Sequence, residues 1–284
     1  MKQLLIILFL LTSIIAYGQI DSIPLALTKK YFNGEIRNYK SVLIGEAKDQ
    51  NFNPKKIFEE ADIEFETLML KKDKAVIAVS LSERDQHTDI YSFWTKGEDW
   101  QITAFRALWL PGVFYMYFDR FRNLDDEGIK TEYQKMFEEV EQNNDTLTDK
   151  QITEQIGTLE DLQTYVSNTK LTVESDKNLK KYFYKNQDKF HALLNKIQND
   201  SITKTKVWRI KKQPNYKEDL RELLLSGVSG YDGHSLIDFY IGGMIDNSVG
   251  YFYCKNPVDV PEMSDNRYIM IRNLGNGWYL YKTT

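Results

Sequence analysis

The stretch Ile90-Tyr91-Ser92-Phe93-Trp94-Thr95-Lys96-Gly97-Glu98-Asp99-Trp100-Gln101-Ile102-Thr103-Ala104-Phe105 decides the fold class. Two runs rich in aromatic and β-branched residues flank a short polar connection containing Gly97, which is the pattern of a β-hairpin. Working back, Ala75-Val76-Ile77-Ala78-Val79 reads as a third strand. Ile63, Phe65 and Met69, alternating with Glu64 and Glu66, read as a fourth, with Lys71-Lys72-Asp73 as the turn between these two. Residues 24–58 are mixed and largely helical in pattern. Helical material followed by an antiparallel meander predicts an α+β protein.

Phe93-Trp94-Thr95-Lys96-Gly97-Glu98-Asp99-Trp100-Gln101-Ile102 resembles the closing hairpin of the nuclear transport factor two-like superfamily, which includes the SnoaL-like proteins. The resemblance covers residues 24–108. It implies a cone-shaped α+β domain with a pocket between helix and curved sheet, used for catalysis in some members. No His/Asp pair in this sequence can be placed in such a pocket, and His87 reads as a solvated loop residue.

Working outward, residues 113–169 are mostly helical by pattern. Tyr133, Met136, Phe137 and Val140 lie at helical spacing, and a further helix is expected from Thr148 through Val166. The clearest helix spans 176–199, with Ser175 or Asp176 as N-cap. Its apolar stripe holds Leu179, Tyr182, Phe183, Phe190, Leu193, Leu194 and Ile197, and His191 lies on the opposite face. The last hundred residues carry strands at 236–241, 249–254, 268–271 and 278–281. Asn276-Gly277 is a hairpin signal, since both residues tolerate positive φ. The expected organisation is therefore antiparallel sheets with packed helices. An α+β meander domain (19–112) is joined by a helical connector (113–169) to a second α+β domain (170–284).

At the N-terminus, Met1-Lys2 precedes an apolar run of 13 residues, Leu4 to Ala16, followed by Gly18. A membrane-spanning helix needs about 20 residues. The pattern predicts a signal peptide, residues 1–18, cut near Gly18-Gln19, and an extracytoplasmic (periplasmic or secreted) protein with no span after cleavage. Without those residues, 36 basic residues face 41 acidic ones, a net charge of −5. The single cysteine, Cys254, permits no disulfide within the chain. Its strand-like surroundings predict a buried thiol.

Charge is unevenly placed. Lys177 to Lys217 holds twelve basic residues against Asp188 and Asp200, whereas Asp119 to Asp161 holds thirteen acids and five bases. Lys177, Lys181, Lys185 and Lys189 recur every four residues, the spacing of a ridge along a helix. Lys204, Lys206, Arg209, Lys211 and Lys212 follow. This set is a candidate surface for a polyanion. Alternatively the basic segment pairs with the acidic one, or both are solvated. Exposed pairs contribute only about 0–1 kcal/mol each.

Gly230-Tyr231-Asp232-Gly233-His234-Ser235 is the most catalytic-looking string, with Asp232 and His234 as candidate residues. Asp-Gly is first a turn signal, and one Asp-x-His pair lacks the three or four ligands of a zinc site. No P-loop, G-x-G-x-x-G, C-x-x-C or H-E-x-x-H string occurs, so no cofactor or metal is expected. The sequence thus points to a binding or accessory module, with an envelope protein or a polyanion as partner. A hydrolase acting on cell-envelope or extracellular polymers is the alternative.

Overall fold

The computed structural model describes residues 22–50, 52–54, 60–84, 86–141, 157–201, 207–211, 213–231, 236–244 and 246–284. The signal-peptide segment, Lys204, Lys206, Lys212, Asp232 and His234 lie outside the described residues. Among the described residues, eight helices and two antiparallel sheets make this an α+β protein. No described helix is long and apolar enough to cross a membrane. The chain divides into two compact units, residues 1–83 with 92–105, and residues 84–91 with 106–284.

In the first unit, helices α1 (Ile23–Phe32) and α2 (Gly45–Gln50) precede strands β1 (Asp62–Leu70) and β2 (Lys74–Glu83); β3 (Gln86–Lys96) starts in the second unit and enters the first at Ser92, and β4 (Trp100–Arg106) follows. The strands pair in chain order. The hairpin read around Gly97 is present, with the Gly97 N–H donating to the Asp99 carbonyl. Ser22 caps α1 by accepting from the Leu25 N–H. Tyr31 and Phe32 on α1 pack against Phe105 of β4, and Phe52 joins the same group of rings. Among the described residues, the space between α1 and the sheet is filled by aromatic side chains.

The second unit holds α3 (Gly112–Phe121), α4 (Asp126–Glu141), α5 (Leu159–Thr172), α6 (Asp176–Lys185), α7 (Gln187–Gln198), β5 (Val207–Ile210), α8 (Lys217–Glu222) and β6 (Gly227–Tyr231). Strands β7 (Leu236–Met244), β8 (Asn247–Cys254), β9 (Tyr268–Gly275) and β10 (Trp278–Thr283) complete it. The sheet order is β5-β6-β7-β8-β10-β9. Asn276 and Gly277 turn β9 into β10 with φ of +53° and +81°, the left-handed pair that the sequence signalled. Phe121, Ile129, Met136, Leu162 and Val166 form the core shared by α3, α4 and α5.

Two helical expectations need correction. The helix expected over 176–199 is two helices broken at Asn186. The Asn186 N–H donates to the Tyr182 and Phe183 carbonyls, and its side chain donates to Tyr182 at 2.9 Å. This local bonding ends α6, and α7 starts at Gln187. Likewise the helix expected from Thr148 through Val166 is interrupted at Gly157-Thr158, where the Thr158 side chain accepts from the Asp161 N–H at 3.1 Å and α5 begins; residues 148–156 lie outside the described residues.

The apolar stripe survives the break at Asn186. Phe183 and Phe190 close on Tyr251, Phe239 and Trp278 of the sheet, with centroids 4.8–6.3 Å apart. Each such aromatic contact adds about 0.5–1.5 kcal/mol beyond area burial, so this face is the core of the unit. His191 is half-buried with its ring edge-on to Trp278, not on a free face.

Candidate functional site

The lysine ridge is only partly assembled. Lys177, Lys181 and Lys185 stand exposed along α6. Beyond the Asn186 break, Lys189 pairs with Glu222 at 2.8 Å and Lys196 with Asp219 at 2.6 Å, so α8 answers the charge of α7. The acidic start of α5 faces α8 as well. Asp161 meets Arg221 at 2.9 Å and Lys217 at 3.4 Å, and Glu160 meets Arg221 at 2.7 Å. Strand alternation puts Arg209 on the sheet face opposite the helices, because its neighbours Trp208 and Ile210 are buried. Arg209 therefore does not join the ridge.

A buried charge cluster was not legible in the sequence. Asp176, the first residue of α6, accepts from Tyr91 Oη at 2.8 Å and Arg272 Nε at 2.7 Å, and meets Lys282 Nζ at 2.9 Å. Asp89 accepts from the Asp176 N–H at 2.8 Å, while its two oxygens lie 3.4 Å from Lys282 Nζ and 3.2 Å from His87 Nε2. His87 thus sits on a strand beside a buried carboxylate, not in a loop. Burial alone would push the Lys282 ammonium down, but Asp176 and Asp89 outweigh it and hold its pKa above the ordinary value. Two carboxylates face two cations and every carboxylate oxygen is engaged. The cluster clamps the start of α6 to β9, β10 and the Asp89–Tyr91 segment, and leaves no carboxylate position open to a ligand.

The opposite face of the six-stranded sheet is built differently. The strand register aligns Arg209 on β5 with Ser229 on β6, Asp238 on β7, Phe252 on β8 and Tyr279 on β10. The next row along the strands is Gly227, Tyr240, Gly250 and Tyr281. The β8–β10–β9 half is apolar. There Phe252, Cys254, Ile271, Tyr279 and Tyr281 cluster beneath Val260 and Met263 of the loop that follows β8. Cys254 is buried, as the sequence predicted. The β5–β7 half is polar, with Arg209 exposed and Ser229, Asp238 and Tyr240 half-buried.

The two halves meet at Asp238. Tyr281 lies across β8 and donates its hydroxyl hydrogen to Asp238 Oδ1 at 2.7 Å. Only glycine permits that crossing, since a Cβ at Gly250 would stand 3.0 Å from the Tyr281 ring and 2.6 Å from the Phe239 carbonyl oxygen. Burial pushes the Asp238 carboxyl up to about 6, against the opposing pull of the Tyr281 hydrogen bond and the Arg209 charge. Burial and Asp238 together hold the Tyr281 hydroxyl well above its ordinary value, so it stays a donor. Burial also raises Tyr240, which responds to both Asp238 and Arg209 and therefore belongs to the same electrostatic neighbourhood.

Elsewhere, a notch of about 160 Å³ lined by Phe118, Phe121, Arg122, Val166, Thr169 and Lys170 is small beside ordinary ligand pockets. No group of three potential metal ligands occurs among the described residues. No family model, curated protein or solved structure matches this chain.

Proposed function

We propose that the chain is an extracytoplasmic binding or accessory module. Its binding surface is the outer face of the β5–β7 strands around Asp238. The reading rests on one observation above the others. Asp238 is a half-buried carboxyl, pushed up to about 6 and held at one oxygen by a tyrosine that reaches over Gly250. Such an arrangement costs stability, and a carboxyl kept in it is a functional candidate. The apolar N-terminal run and the small residues before Gln19 support export.

A hydrolase acting on envelope polymers is the second reading, because a carboxyl near 6 is suited to general acid catalysis. The two separate by turnover. A hydrolase consumes polymer and loses that activity in D238N, whereas a module binds without product.

Thermal unfolding of the purified protein against metals, sugars, nucleotides, acidic polymers and apolar small molecules tests the main reading. A ligand at a hundred times its Kd stabilises by about 2.7 kcal/mol, a shift of about 5 °C or more for a unit of this size. A flat panel contradicts it. Sequencing the N-terminus of the exported protein tests localisation: Gln19 is expected, and Met1 refutes export with cleavage.

A further inference from the structure

We infer that the β5–β7 face recognises a neutral saccharide through the row Arg209, Ser229 and Asp238, with Tyr240 beside it as the stacking ring. This assignment rests on the binding-module reading above and names the ligand class for that surface.

Four observations carry it. First, the row presents a donor, a group that both donates and accepts, and an acceptor, in register on three adjacent strands. Among the described residues, no hydrogen bond engages the Ser229 hydroxyl or Asp238 Oδ2, and the Arg209 guanidinium acts on Asp238 through its charge without a salt bridge. Half-buried polar groups with spare capacity are satisfied by water or by a ligand.

Second, neighbouring strands lie roughly 4.8 Å apart. The three side chains therefore leave the sheet at intervals comparable to one pyranose ring, and a strand scaffold fixes that spacing.

Third, the charges oppose one another. Asp238 disfavours an anion and Arg209 disfavours a cation. A hydroxylated neutral ligand, able to give a hydrogen to the carboxylate and accept from the guanidinium, uses all three groups without an uncompensated charge. The lysines of α6, which would draw a polyanion, stand on the helical side of the unit, away from this row.

Fourth, Tyr240 is half-buried in the adjoining row, with Gly227 opposite it on β6. No side chain from that strand position walls off its ring. The Tyr240 hydroxyl donates to the Gly243 carbonyl at 3.0 Å, which anchors the ring for stacking against a sugar face.

The test is an array of immobilised neutral oligosaccharides (α- and β-glucans, mannans, xylans and chitooligosaccharides) with heparin and spermine as charged probes. It is read with protein purified from cells expressing the full chain. At least one neutral glycan should bind, and D238N and R209A should each weaken that binding tenfold or more. Both variants should keep a cooperative unfolding transition, and K181A/K185A should bind as the wild type does. Binding of heparin or spermine alone overturns the saccharide assignment while leaving a binding module standing. Binding to no probe overturns the assignment, and glycan binding that D238N and R209A leave intact overturns it as well. Should D238N fail to fold, Tyr240→Leu and Ser229→Ala carry the same expectation.

Discussion

Replacing Asp238 by asparagine should stabilise the protein at neutral pH and do little at acidic pH. The carboxyl is pushed from an ordinary 3.8 up to about 6 by burial. An acid whose folded pKa is raised holds its proton more tightly in the folded chain. Unfolding therefore releases a proton between about pH 4 and 6, and stability falls as pH rises through that window. At about 1.4 kcal/mol per pKa unit, the shift corresponds to roughly 3 kcal/mol, an upper figure because the half-buried carboxyl is partly screened by water. Asparagine keeps an acceptor for the Tyr281 hydroxyl but carries no charge. D238N should thus gain about 1–3 kcal/mol at pH 7.5, a rise of several degrees in Tm, and nothing measurable at pH 4. Differential scanning calorimetry of both proteins at the two pH values reads this directly. A loss of stability at pH 7.5, or an equal change at both pH values, refutes the reasoning.

Lys282→Met removes one cation from the buried cluster and leaves Asp89 and Asp176 under-compensated. Chemical denaturation should show a loss of about 3–5 kcal/mol, against less than about 1 kcal/mol for Lys189→Met at the exposed Glu222 pair. Gly250→Ala forces a Cβ to within 2.6 Å of the Phe239 carbonyl oxygen. It should cost about 1–3 kcal/mol in the same assay and displace Tyr281, removing the hydrogen bond that opposes burial and moving the Asp238 titration further up by NMR. Lys282, Tyr91 and Tyr281 all have raised pKa values and keep their protons in the folded chain beyond the unfolded values near 10. Stability should therefore hold up to about pH 10 and fall above it, as a pH series of thermal melts would show; a melt unchanged well above pH 11 contradicts this.

Elements with a strong local signal were legible in the sequence. The hairpin at Gly97, the Asn276-Gly277 turn and the Ser175 cap each depend on residues close together in the chain. The Asn186 break was hidden because the apolar stripe continues from Phe183 to Phe190 on either side of it, so periodicity alone reports one helix. Strands β5 and β6 were missed because they are short and β6 carries Gly227 and Gly230. Gly230 is required by the Trp208 ring, which would lie 2.4 Å from a Cβ there. No spacing rule could have assembled the candidate site. Arg209, Ser229 and Asp238 become neighbours only through strand register, and Tyr281 reaches Asp238 across 43 positions. The charge cluster is more remote still, joining Asp89 to Lys282 across 193 positions. Lys282 and Arg272, set among the aromatic and aliphatic residues of β9 and β10, were the only hint of it.

The most direct test of the central claim is a hydrogen-exchange footprint of the protein with whichever ligand stabilises it. The account predicts protection concentrated on residues 207–210, 227–231 and 236–244, with α6 unchanged. Protection of 177–185 with the sheet face unaffected would contradict it and return the site to the lysine ridge.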